Sequence, residues 1–118
     1  MDDATALDET FEIANLSEAR TGIPGVVYIS TRQAGHGPQV KYYEKPGHDQ
    51  PSCSVSVEAA PRIVASSLPD RVTTRISGPV IEWVKLNRAA LVEFWERGTY
   101  WMDEEVTAFK SSLKKLPG

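Results

Sequence analysis

Two spacings of apolar residues divide this chain. Between Val26 and Ala65 they fall in short β-branched runs or alternate with polar residues, and from Val80 to Leu116 they recur every third or fourth position. Alternation puts one face of a strand in a core, and the longer period puts a stripe on a helix. Val26–Thr31 is β-branched and aromatic, which suits a pleated surface. Gln39–Glu44 places Val40 and Tyr42 on one face and Lys41 and Tyr43 on the other. Ser52–Val57 alternates without fault, with Cys53, Val55 and Val57 opposite three serines. Pro61–Ala65 reads as a further strand, and Phe11-Glu12-Ile13 as a short edge strand. The segments Gly35-His36-Gly37-Pro38 and Pro46–Pro51 break the pattern as turns.

Trp83, Asn87, Leu91 and Trp95 stack along one ridge of a helix that Gly98 ends. Ser77 as cap and Pro79 near the first turn put its start at 77–79. Residues 71–76 read either as strand, from Val72-Thr73-Thr74, or as earlier turns of this helix. A second helix carries Val106, Phe109, Leu113 and Leu116, with acids Asp103-Glu104-Glu105 first and Lys110, Lys114 and Lys115 towards its end. Strands followed by helices predict an α+β fold: a four- or five-stranded antiparallel meander with two C-terminal helices packed on one face.

Composition and charge narrow the classes. A length of 118 residues, 41% hydrophobic and 25% charged, fits one folded domain. No apolar run approaches the ~20 residues of a membrane helix, and the N-terminus has neither the basic start nor the apolar stretch of a secretory signal. Cys53 is the single cysteine, which suits a reducing, cytoplasmic setting. Residues 1–18 hold six acids and no base, against 13 bases and 10 acids in residues 19–118. Residues 1–22 therefore read as an acidic, partly disordered arm on a domain spanning 23–118, with Gly22-Ile23-Pro24-Gly25 as the turn between them.

Chemistry-bearing patterns are sparse. His36 and His48 sit in turns at opposite ends of one strand, about 20 Å apart, and adding Cys53 gives no metal-ligand spacing. No catalytic set, metal site or cofactor is expected. The Gly35–Pro38 turn lacks the glycines and the following helix of a phosphate loop. Asn87, on the apolar face, ties the helix to nearby backbone or else joins Arg88, Arg32, His36 and Lys41 around a small pocket. Tyr100 and Trp101 either fold back over the helix pair or join an exposed patch. Tyr43 is expected to face out beside Lys41, Lys45 and Arg32 as an interaction surface. With pI ≈ 5.4 and no basic run, nucleic acid is not the favoured partner.

One stretch resembles a known family. His36-Gly37-Pro38-Gln39-Val40-Lys41-Tyr42 is similar to the His-x-Pro-Pro-His-Val-His-Val strand motif of a small bacterial family of unknown function, one proline shorter. The helix with Trp83, Asn87-Arg88, Leu91 and Trp95 resembles that family's C-terminal Asn/Trp helix. The resemblance spans roughly residues 25–98. It implies a toxin–antitoxin-like pair, in which this chain is one half. Gln39 and Lys41 stand where the family has its second and third histidines. Gln is no general base, and protonated Lys is a poor metal ligand, so of these three only His36 carries over.

Two functions follow as expectations. The first is a small cytoplasmic, non-catalytic interaction or regulatory module, using an exposed strand edge or the Tyr100-Trp101 region on a protein partner or a second copy. The second is a small hydrolase or nuclease-like enzyme using His36 with Arg32 or Lys41.

Overall fold

A computed structural model describes residues 13–31, 37–47 and 49–117 of the chain. Five strands form one antiparallel sheet in the order β1-β2-β3-β4-β5. They are β1 (Ile13–Leu16), β2 (Val26–Ser30), β3 (Gln39–Tyr43), β4 (Ser52–Ser56) and β5 (Ile63–Ser66). A single helical turn, α1 (Glu18–Thr21), links β1 to β2. The long helix α2 (Asp70–Arg97) follows the sheet, then a 3-10 turn (Gly98–Tyr100) and α3 (Asp103–Ser112). The fold is the α+β meander that the alternation predicts.

Register explains which face is buried. Leu16 lies opposite Val27, Val27 opposite Tyr42, and Tyr42 opposite Cys53; Ala14, Ile29, Val40 and Val55 form the parallel row. All eight belong to the core. Because side chains alternate along a strand, Tyr28, Lys41, Ser54 and Ala65 form a row across the other face. Ala14 and Leu16 are buried and so is Thr21 of α1, so β1 and α1, within the stretch read as an acidic arm, belong to the folded body, and these three residues anchor them to it. The six acids of that arm, Glu18 excepted, lie outside the described residues.

The ambiguity at residues 71–76 resolves as helix. α2 begins at Asp70, after Pro69, rather than at 77–79. Val72, Ile76, Val80, Trp83, Val84, Asn87, Leu91 and Phe94 are its buried residues, and their spacing is one unbroken helical stripe. Packing of Val72 and Ile76 outweighs the β-propensity of Val72-Thr73-Thr74. Pro79 therefore sits inside the helix, on its exposed side, where its missing N–H leaves the Arg75 carbonyl without its helical donor. The departure from helical dihedrals occurs at Asn87 instead (φ −116°, ψ 16°).

Gly98 ends α2 in the right-handed region. It is needed for closeness: a Cβ there would lie 2.9 Å from both the Phe94 ring and the Thr31 methyl. α3 stops at Ser112, shorter than its periodicity suggests. Leu113 has extended dihedrals (φ −67°, ψ 141°), so Leu113, Lys114, Lys115 and Leu116 form a strap, not a last helical turn. Glu105 secures the other end of α3, its carboxylate accepting a 2.8 Å bond from the Met102 N–H.

Candidate functional site

Of the five residues expected to converge on a pocket, the described ones, Lys41, Asn87 and Arg88, do not share one. Arg32 and His36 lie outside the described residues, as does His48. Lys41 is exposed on the sheet face turned away from α2. There it lines a shallow hollow with Ser52, Ser54, Ala65, Ser66 and Ser67. Asn87 is buried on the helix side. The sheet therefore separates the two, because Lys41 occupies the position between core-facing Val40 and Tyr42. Arg88, the neighbour of Asn87, is exposed.

Asn87 is fully engaged with backbone. Its Nδ2 donates to the Trp83 carbonyl at 3.1 Å and to the Lys114 carbonyl at 2.9 Å. Its Oδ1 accepts from the Lys114 N–H at 2.7 Å. The carboxamide thus pairs with the backbone N–H and C=O of one strap residue, Lys114, as a neighbouring antiparallel strand would. The bond back to Trp83, four residues earlier, competes with the helix ladder and accounts for the local break at Asn87. This is the tie between helix and backbone that a buried amide on an apolar ridge calls for. Sequence reasoning missed its partner, which is 27 residues away in the strap.

Tyr43, expected to face out, is buried at 3% exposure. Its ring meets Tyr28 edge-on, centroids 4.9 Å apart, a diagonal cross-strand contact within aromatic reach. The Gly47 N–H donates to the Tyr28 hydroxyl at 3.3 Å, drawing the β3–β4 connection towards this pair. Tyr43 therefore offers no interaction surface.

Trp101 folds back. It meets Phe94 at 5.9 Å and Phe109 at 5.5 Å between centroids, and Phe94 and Phe109 stack at 4.8 Å. The cluster joins α3 to the end of α2. Tyr100 and Met102, on either side of Trp101, are 76% and 68% exposed. Half-buried Trp95 closes a narrow crevice with Leu91, Ile29 and Val57.

Val64 in β5 and Leu86 in α2 are further exposed large apolar residues, each 41% exposed. β5 is an outermost strand, and its sequence, Ile63-Val64-Ala65-Ser66, contains neither charge nor proline. A register shift between Ser54 and Val55 marks its pairing with β4.

Titration adds little chemistry. Burial, and secondarily the Glu44 carboxylate, pushes the Tyr42 phenol above its usual range; its hydroxyl donates to the Pro24 carbonyl at 2.6 Å. Burial pushes the Cys53 thiol up, against a hydrogen bond with Ser66 that lowers it. A raised thiol is the inert kind. Among the described residues no group of three or more His, Cys, Asp or Glu is placed to hold a metal ion, and no helix is long and apolar enough to cross a membrane.

Comparison with known proteins gave no match: no family model, curated protein or solved structure aligns with this chain.

Proposed function

We propose that this chain is a non-catalytic interaction module that engages a protein partner through the outer edge of β5. One observation carries this reading: an outermost strand whose central residue, Val64, is 41% exposed and whose four residues include no charge or proline. The strand is short and its register shifts at Val64, both of which blunt an edge in part. It carries neither the charge nor the proline that would block pairing, and the backbone of an outermost strand is a template for another strand. A partner adding an extended segment there would gain main-chain hydrogen bonds, with the Val64 side chain as one point of specificity. Tyr100 and Met102 supply a second exposed apolar pair. The resemblance to paired bacterial regulators adds the nature of the partner, a second small protein of a toxin–antitoxin-like pair.

Replacing Val64 with Lys at the exposed edge tests the proposal. The side chain is already solvent-facing, so the fold is expected to persist by circular dichroism, while a charge at mid-strand opposes pairing. Affinity capture from source cells is expected to retain a specific small protein with the wild-type chain and to lose it with Val64→Lys. Identical capture by both chains would reject the edge as the contact.

A further inference from the structure

The strap formed by Leu113, Lys114, Lys115 and Leu116 is held by hydrogen bonds to its backbone and by the packing of its two leucines. The Asn87 carboxamide holds both polar groups of Lys114. Two residues on, the Leu116 N–H donates to the Thr21 carbonyl at 2.9 Å. Gly22, at φ 82°, lets the chains approach: a Cβ there would lie 2.9 Å from the Leu116 carbonyl oxygen. Leu113 is buried and Leu116 packs against the core, whereas Lys114 and Lys115 point to solvent.

The strap is also unsealed. One surface hollow of about 400 Å³ is lined by Glu18, Ala19, Gly22, Lys115 and Leu116. Another, of about 310 Å³, is lined by Glu82, Lys85, Leu86, Leu116 and Pro117. Leu116 therefore sits between two openings.

We infer that the groove beneath the strap is a peptide-binding site which the strap fills in cis, and that it accepts an extended Leu-x-Lys-Leu segment of a protein partner when the strap lifts. The seated strap defines the ligand chemistry. Two leucines three residues apart fill the apolar positions. The carboxamide reads the backbone N–H and C=O of one residue whatever its side chain. A lysine before the second leucine shares its hollow with the Glu18 carboxylate. The site is on the helix side of the sheet and stands whether or not β5 binds anything. A cis segment competes at high effective concentration, so partner binding would be controlled by how firmly the strap is held.

The test uses the full chain with Lys114→Pro. This change removes the N–H that Asn87 accepts and leaves the groove intact. Leu113 already has the extended ψ that a following proline demands. The probe is a fluorescent peptide of residues 111–117, Ser-Ser-Leu-Lys-Lys-Leu-Pro. It is expected to bind Lys114→Pro about tenfold more tightly than the wild type, the equivalent of one lost strap hydrogen bond. Adding Asn87→Ala is expected to abolish that binding. Equal affinity for wild type and Lys114→Pro, or no binding to either, overturns the inference. So does dimerisation of Lys114→Pro by light scattering, which would make a second copy the occupant. Hydrogen exchange on the wild type decides independently if Lys114→Pro fails to fold. The Lys114 and Leu116 amides are expected to exchange well ahead of those of Val84 and Leu91. Exchange at the same rate would mean that the strap leaves only on global unfolding, and the site would not exist.

Discussion

Trp83 and Asn87 sit one turn apart on the same stripe of α2, and both are buried. Each brings a polar group into the core, with opposite outcomes. Asn87 makes three hydrogen bonds to backbone. The Trp83 indole nitrogen has no acceptor among the described residues, although the side chain is fully buried. The difference lies in reach. Asn87 carries donor and acceptor on a short stem and meets a segment of chain that has left its helix. Trp83 carries one donor on the rim of a large ring, and the ring's position is set by apolar packing. Burial of the indole surface stabilises by roughly 1.5–3 kcal/mol, enough to tolerate one unmade bond, whereas an unpaired carboxamide would bring little surface in compensation.

The most severe way to break this contrast is Asn87→Ala. It leaves a buried Trp83 carbonyl without its side-chain donor and frees both polar groups of Lys114. A loss of about 3 kcal/mol is expected in urea unfolding, with the strap amides exchanging freely. A loss below about 1 kcal/mol would mean that water replaces the carboxamide at little cost, and that the two residues differ less than their geometry suggests.

Tyr42 is the intermediate case, a buried phenol with one bond, to Pro24. Tyr42→Phe leaves that carbonyl without its donor, and a loss of about 2 kcal/mol is expected. The pH dependence has a definite sign. The folded phenol titrates above its ordinary value because burial disfavours the charged form. The unfolded chain therefore releases its proton first, near pH ~10. The contribution of Tyr42 is fully present below that pH and is lost as pH rises through the folded value. Cys53, shifted in the same direction, adds a similar decline beginning near pH ~8.5. Thermal melts between pH 7 and 11 should fall more steeply for the wild type than for Tyr42→Phe. Parallel profiles would show that the phenol is not desolvated.

How far sequence reasoning reaches differs among these residues. The meander was legible because the core-facing rows of β2, β3 and β4 alternate and turn residues separate them. α2 was legible from residues 77–79 onward. Its first two turns were hidden by β-branched residues and by the plausible cap at Ser77 and Pro79, although Val72, Ile76 and Val80 continue the same four-residue step. Tyr43 was misjudged because period-two alternation assigns a side chain to a face and says nothing of what covers that face. The end of α3 and the partner of Asn87 were beyond local pattern: Leu113 and Leu116 keep helical spacing yet serve an extended strap, held by residues 27 and 95 positions away. The candidate pocket rested on which sheet face Lys41 takes relative to Asn87, a relation fixed by tertiary packing.

The smallest expected effect is also the cleanest test of the unpaired indole. Replacing Trp83 by its benzothienyl isostere, in which sulfur takes the place of the ring N–H, keeps shape and apolar area and removes only the donor. In the unfolded state the natural indole N–H is hydrogen-bonded to water; in the folded core it has no acceptor among the described residues. The isostere has no such bond to lose, so folding should become more favourable by about 1 kcal/mol. The same replacement at half-buried Trp101 should leave stability nearly unchanged, which controls for the chemistry of sulfur. A decrease at position 83 would mean that the N–H has an acceptor in solution, through a side-chain rotation or a buried water. Trp83 would then be a second satisfied group beside Asn87, and the stripe of α2 would be bound to its surroundings by polar contacts at both positions.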